Sequence, residues 1–172
     1  MEYAMLSIKN ATTEDIPMIR ELTMQVWPQT YTPILGHEQV AYMLNLFYNP
    51  ESLTKQMTEM GHRFIICYNA EQPVAFASWS ETEPLIFKLH KIYILPGQQG
   101  KGVGKAMLEH IMQEITTRGA TALRLNVNIY NLSAKAFYEK TGFKHLKDED
   151  IDIGGGYFMN DHVLELKVKN QK

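Results

Sequence analysis

Apolar residues along this chain follow two rhythms. Leu123, Leu125, Val127 and Ile129 alternate with Arg124, Asn126 and Asn128, the period of a half-buried strand. Val103, Met107, Ile111 and Ile115 recur every fourth residue while Lys105, Glu109 and Gln113 fall between them, the pattern of a helix with one buried face. The same reading predicts a short strand at Leu6–Asn10. A helix follows, opened by Thr12, Thr13 and Asp15 as cap and first-turn residues, with Pro17 early enough to be tolerated. Ile16, Ile19, Leu22 and Val26 form its apolar face. Phe64–Tyr68 and Val74–Trp79 predict two strands joined by the turn-forming segment Asn69–Pro73. A third strand runs from about Ile86 to Leu95 and leads into a glycine-rich turn and the four-residue-period helix, which Arg118-Gly119 ends. Ser133 to Thr141 predicts a short helix, with Asn131 or Ser133 as cap and Gly142 as its stop. The tail, Phe143–Leu146 and Val163–Val168, reads as two strands around an acidic loop.

The stretch from about Trp27 to Met60 resists this reading. Pro33, Gly36 and Pro50 break it into one or two short helices. It is rich in aromatics, including Trp27, Tyr31, Tyr42, Phe47 and Tyr48, which serve core packing ahead of a substrate-pocket wall. Strands, then strand–helix–strand–helix, then strands again define a mixed α/β sheet with at least one crossover.

Composition narrows the class. No linker or repeat divides the 172 residues, so residues 1–172 are expected to form a single domain. A net charge of -2 argues against a nucleic-acid partner. The single cysteine, Cys67, excludes an internal disulfide and sits in the apolar run Phe64–Tyr68, so a buried strand thiol is expected. No apolar run is long enough to cross a membrane, and Met1–Met5 has no signal-peptide pattern, so a cytoplasmic location is expected. The six histidines show no metal-ligand spacing, and no metal is expected.

The candidate chemistry begins at Gly97–Lys105. Gly100, Gly102 and Gly104 leave the backbone bare between a strand and a helix. Their N–H groups, with those of Lys101, Val103 and Lys105 and the positive end of the helix, suit a pyrophosphate without a metal. A P-loop fails: Ala106 follows Gly104-Lys105, and Gln99 occupies its first glycine. A dinucleotide fingerprint fails at its third glycine, where Lys105 stands.

Gln99-Gly100-Lys101-Gly102-Val103-Gly104 instead resembles the Gln/Arg-x-x-Gly-x-Gly/Ala segment of the GNAT superfamily of N-acetyltransferases. The preceding Lys91–Pro96 and the later block Asn131–Phe143 are similar to that family and stand in its order. The resemblance implies a single-domain, mostly antiparallel mixed sheet flanked by helices, with acetyl-CoA as co-substrate. It implies that backbone groups of the Ile92-Tyr93-Ile94 strand bind pantetheine, the N–H of Ile94 polarising the thioester. It also implies that residues Gln99 to Lys105 hold the pyrophosphate, that the Asn131 amide touches the cofactor, and that Lys140 lies near the phosphates. Tyr138 matches the family's general acid; core packing is the competing reading, since Ala134, Phe137 and Tyr138 share a helix face. Where the family often carries a Glu on the strand before the loop, this chain has Lys88 and His90. His90 is the substitute base, balanced against a hydrogen-bonded strand histidine, with Glu81 and Glu83 as alternatives.

The reaction so implied is direct attack of an amine on the thioester. The tail Tyr157–Val163 is similar in style to the polyamine-acetylating branch, and Glu81, Glu83, Asp148, Glu149, Asp150 and Asp152 suit a cationic acceptor. A peptide, lysine, amino-acid or aminoglycoside amine competes with a polyamine. Two other classes stay open: an acetyl-CoA sensor or scaffold without turnover, and a nucleotide-binding module. A homodimer is implied by resemblance alone.

Overall fold

The computed structural model describes residues 5–98 and 100–169. The chain forms two compact units, one of residues up to Ser80 with Lys91–Ile111, the other of Glu81–His90 with residues from Met112 on. Among the described residues, seven strands occur in the hydrogen-bonded order β1-β2-β3-β4-β5-β7-β6.

In the first unit, β1 (Leu6–Asn10), β2 (Arg63–Asn69) and β3 (Gln72–Glu83) are antiparallel neighbours. Phe64–Cys67 and Val74–Trp79 are buried on both sides of the pleat, so they show no alternation, Ser78 being the one polar residue among them. Cys67 is among them, fully buried, and burial pushes its thiol pKa up. The β2–β3 turn closes on Ala70 at φ 57, a left-handed conformation without glycine.

Helix α1 (Ile16–Phe47) is two helical stretches broken at Gly36, as expected, and Pro50 opens the next helix, whereas Pro33 breaks nothing. A 3-10 turn at Thr13–Asp15, closed by a capping box between Thr12 and Asp15, leads into α1 at the expected place. The first stretch continues through Pro28 and Pro33, and Gly36, at φ 83 and ψ 161, has non-helical backbone that separates it from the second. Both prolines are exposed, so the carbonyls they leave unbonded face water. Buried Ile19, Leu22, Val26 and Trp27 before the kink, and Val40 and Met43 after it, hold the helix in place. Helix α2 (Pro50–Thr58) starts with Pro50 in its first turn and Asn49 as cap, its side chain accepting from Ser52 N at 2.8 Å.

Strand β4 (Ile86–Ile94) and helix α3 (Val103–Thr117) run through both units. In the second unit β4 pairs in parallel with β5 (Ala122–Asn128) from Ile86 to Leu89. Helix α4 (Leu132–Thr141) follows. The acidic segment is a strand and not the expected loop: β6 (Lys144–Gly154) forms a hairpin with β7 (Tyr157–Lys167). Gly155 and Gly156, both at positive φ, make the turn. Strand β6 ends the sheet order, and its charged residues suit an exposed edge.

Candidate active site

The turn after β4 is fixed at both ends. Leu95 N donates to Val74 O at 2.9 Å, Gln98 N to Leu95 O at 3.1 Å, and Asn69 Nδ2 to Gln98 Oε1 at 3.2 Å. Gly100 and Gly102 both sit at φ 79, and a Cβ on either would meet nothing within 4 Å. Glycine is needed there for backbone conformation and not for clearance. Gly104 is different: it is buried inside the first turn of α3 and is not part of the open turn. The first ladder bond of α3 runs from Ala106 N to Gly102 O at 2.9 Å. The N–H groups of Val103, Gly104 and Lys105 therefore precede the ladder and lie at the positive end of the helix. Lys101 and Lys105 are exposed beside them. Bare N–H groups at a helix N-terminus suit an anion such as a phosphate. Gln99 lies outside the described residues.

Half-buried Ile92, Tyr93 and Ile94 lie beyond the part of β4 that pairs with β5. Tyr93 puts its ring into an aromatic cluster, 5.9 Å from Trp27, 6.4 Å from Tyr48 and 5.5 Å from Phe76. Its side chain is committed to packing, which leaves only its backbone for a cofactor. The cluster also carries its own cation. Lys91 Nζ lies 5.2 Å from the Tyr48 ring centre and 5.9 Å from that of Phe64, and donates to Gln56 Oε1 at 2.8 Å. Trp27 and Tyr48 are buried, and desolvation drives the Tyr48 phenol far above its ordinary pKa. Core packing accounts for these aromatics.

In the second unit, half-buried His90 follows directly on the last β4–β5 pair, Leu89 with Leu125. Asn131 caps α4: its Oδ1 accepts from Ala134 N and from Ser133 Oγ, each at 3.4 Å. That oxygen is thereby engaged, and the Nδ2 donor is what Asn131 retains for a cofactor. Tyr138 is buried on α4, its ring 5.4 Å from Phe137 and 5.6 Å from Phe143. Lys140 is exposed in the last turn, before Gly142 closes the helix at φ 118.

The structure also assembles a group that the sequence reading did not single out as a unit. Strand register puts Lys88, Arg124, Asn126, Asn128, Asp161 and Glu149 on one face of β4, β5, β7 and β6. Glu149 and Asp161 are direct cross-strand partners. Asn126 Nδ2 donates to Glu149 Oε2 and to Asp161 Oδ2, each at 3.2 Å. The two carboxyls are pushed apart. Burial holds Asp161 above the usual range, with the Asn126 hydrogen bond and Lys88 countering only in part. The Asn126 hydrogen bond and then Lys147 hold Glu149 below it. Glu83 and Glu165, in contrast, are taken up by Arg124, at 3.3 and 2.8 Å. Glu81 accepts from Leu85 N at 2.9 Å and shapes the β3–β4 turn.

On the opposite face of the same hairpin, Asp148 Oδ1 meets His145 Nε2 at 2.7 Å and His162 Nδ1 at 2.6 Å. A register shift between His145 and Lys147 brings His145 onto the face of Asp148. These contacts, the one to His145 first, lower the Asp148 pKa. The ligating atoms lie within 4.8 Å of one another, close enough to share a cation, and hydrogen-bond to each other here. Their spacing along the chain gives no hint of this.

Residues 31–155 match the family described as Acetyltransferase (GNAT) domain. The chain belongs to the GNAT acetyltransferase family. It is 23% identical over 150 residues to an uncharacterised N-acetyltransferase of Mycobacterium bovis, covering 87% of this chain and 96% of that one. A shorter stretch is 42% identical over 55 residues to the ribosomal protein bS18 alanine N-acetyltransferase of Escherichia coli, 32% of this chain and 37% of that one. In fold it is similar to the PaiA N-acetyltransferase of Thermoplasma acidophilum, solved with coenzyme A: TM-score 0.79 at 23% identity, covering 94% of this chain and 98% of that one. This GNAT protein is an N-acetyltransferase, and its described residues form a mixed, mostly antiparallel sheet with four α-helices. No described helix is long and apolar enough to cross a membrane.

Proposed function

We propose that this GNAT enzyme transfers the acetyl group of acetyl-CoA to a primary amine of a cationic small molecule, with a polyamine such as spermidine or spermine as the first choice. Residues 1–172 act as one cytoplasmic N-acetyltransferase domain. The observation that carries the cofactor assignment is the turn at Gly100 and Gly102, whose positive φ values lead into the unbonded N–H groups of α3. With Gln99, Lys101, Val103, Gly104 and Lys105 it holds the pyrophosphate. Backbone groups of Ile92 and Ile94 take the pantetheine arm, and Asn131 Nδ2 and Lys140 contact the cofactor.

The neutral amine nitrogen attacks the thioester carbon and the C–S bond breaks. The N–H of Ile94 stabilises the oxyanion. Tyr138 gives its phenolic proton to the departing thiolate. His90 accepts the proton lost by the amine. The polyamine choice is supported by the carboxylates on β6 and β7.

The 55-residue likeness to a ribosomal-protein alanine N-acetyltransferase favours a second reading, a peptide amine as acceptor. Release of CoA thiol from acetyl-CoA, measured with spermidine, spermine, amino acids, a peptide N-terminus, a lysine peptide and an aminoglycoside, decides between them. Release with the polyamines alone is the expected result. Release only with the peptide selects the second reading, and tight CoA binding with no release defeats both in favour of a sensor.

A further inference from the structure

The carboxylates of β6 and β7 allow the acceptor to be specified further, on the basis of the acetyl-transfer reading above. Asp161 is 4% exposed and is the one buried carboxylate among the described residues. Burying a charge is costly unless it is paired. Asp161 receives one hydrogen bond, from the neutral Asn126 amide to Oδ2, and Oδ1 receives none from any described residue. No described residue forms an ion pair with it. Lys88 lies on the same face and its charge is felt by both carboxylates, yet it forms an ion pair with neither. Asn126 has only two N–H donors, and Glu149 and Asp161 take both. Glu149 is otherwise paired only with Lys147, at 3.2 Å, and Lys147 is 59% exposed, a contact of small value. The arrangement is thus an anionic pair, held in register by an amide, that its own protein leaves short of cations.

We propose that the Asn126-bridged carboxylates of Glu149 and Asp161 form a subsite for a second, non-reacting ammonium group of the acceptor, so that the preferred substrate is a diamine or longer polyamine and not a monoamine. An ammonium offers three donors, enough for Asp161 Oδ1 and Glu149 together. Contact with two carboxylates favours the protonated amine. A protonated nitrogen has no lone pair, so the nitrogen bound here is not the one that attacks. The attacking amine belongs to the other end of the molecule. Strand alternation contributes too: β6 presents Glu149 to this face while Asp148 faces the histidines.

The test compares cadaverine with pentylamine, which has the same chain length and one amine fewer, in the wild-type enzyme and in Glu149→Gln and Asp161→Asn. The wild type should prefer cadaverine by at least about tenfold in kcat/KM, since a charge-assisted hydrogen bond is in play. Each variant should lose roughly tenfold to a hundredfold of that preference, through the KM for the diamine and not the KM for acetyl-CoA. Melting curves separate a purely structural role: a structural Asp161 makes Asp161→Asn melt lower, whereas the subsite predicts no loss. Should Asp161→Asn fail to fold, half-exposed Glu149→Gln decides alone. Equal use of the two amines by the wild type, or a preference unchanged in the variants, overturns the subsite while leaving acetyl transfer standing. No thiol release with any amine overturns both.

Discussion

Two regions of this protein are built to hold a positive charge, and they differ in who supplies it. In the first unit, Tyr48 and Phe64 offer ring faces and Gln56 offers an amide oxygen, and the chain's own Lys91 fills the place. In the second unit, Glu149 and Asp161 face each other across Asn126, and no side chain of the unit forms an ion pair with Asp161. The first arrangement is closed and stabilises the fold. The second costs the fold something, since desolvation keeps Asp161 above its ordinary pKa. Buried charge satisfied from within is architecture, whereas buried charge left short is where a ligand is expected.

The largest expected effect tests the acid proposed on α4. Tyr138→Phe should lower kcat about a hundredfold or more, the usual scale for loss of a positioned acid, with the KM for acetyl-CoA little changed. Steady-state kinetics reads it, and an unchanged kcat would leave Tyr138 as packing against Phe137 and Phe143. In the closed arrangement, Lys91→Met should cost about 2 kcal/mol of stability in denaturant unfolding, because Oε1 of buried Gln56 loses its donor. Its effect on diamine KM should be nil; a raised KM would bring Lys91 into substrate binding and erase the contrast.

The open arrangement has the opposite sign. Asp161 holds its proton more tightly folded than unfolded, so its ionised form works against the native state. That cost is absent below the ordinary Asp value of 3.8 and complete above the raised one, so stability falls as pH rises through this window. Asp161→Asn should flatten this part of the melting-temperature profile and melt above wild type at neutral pH. A profile parallel to wild type would count against it. The smallest effect sharpens the cofactor side. Gly102→Ala meets no steric obstacle, so only the positive φ opposes it, at about 1 kcal/mol. The KM for acetyl-CoA should rise about fivefold.

Elements with a strong period were legible before any coordinates. The alternation of Leu123–Ile129, the four-residue period of α3 and the caps at Thr12 and Asn131 rest on local interactions that sequence displays directly. Helix α1 was legible only in part: Gly36 is a true break, but Pro33 looks like one too and becomes harmless only on a face that meets water. Strand β6 was hidden for a related reason. As an edge strand it shows little buried alternation, and its acids resemble a solvated loop. The glycine turn, the α4 block and the family could be read from motifs, although Gly104 belongs to helix packing. The Asp161 group could not be. Asp161, Asn126 and Glu149 are far apart in sequence, and only strand register across β5, β7 and β6 makes one Asp buried while neighbouring polar residues stay wet.

Cys67 has a practical consequence. The enzyme's only thiol lies at the centre of β2 with none of its surface exposed. A thiol-reactive dye added to the native protein therefore reports CoA and nothing else, with no protein background to subtract. Stoichiometric labelling of the polypeptide itself requires β2 to open, so the reagent that times the reaction also times unfolding. A preparation that takes up dye before any substrate is added contains molecules whose central strand has already come apart.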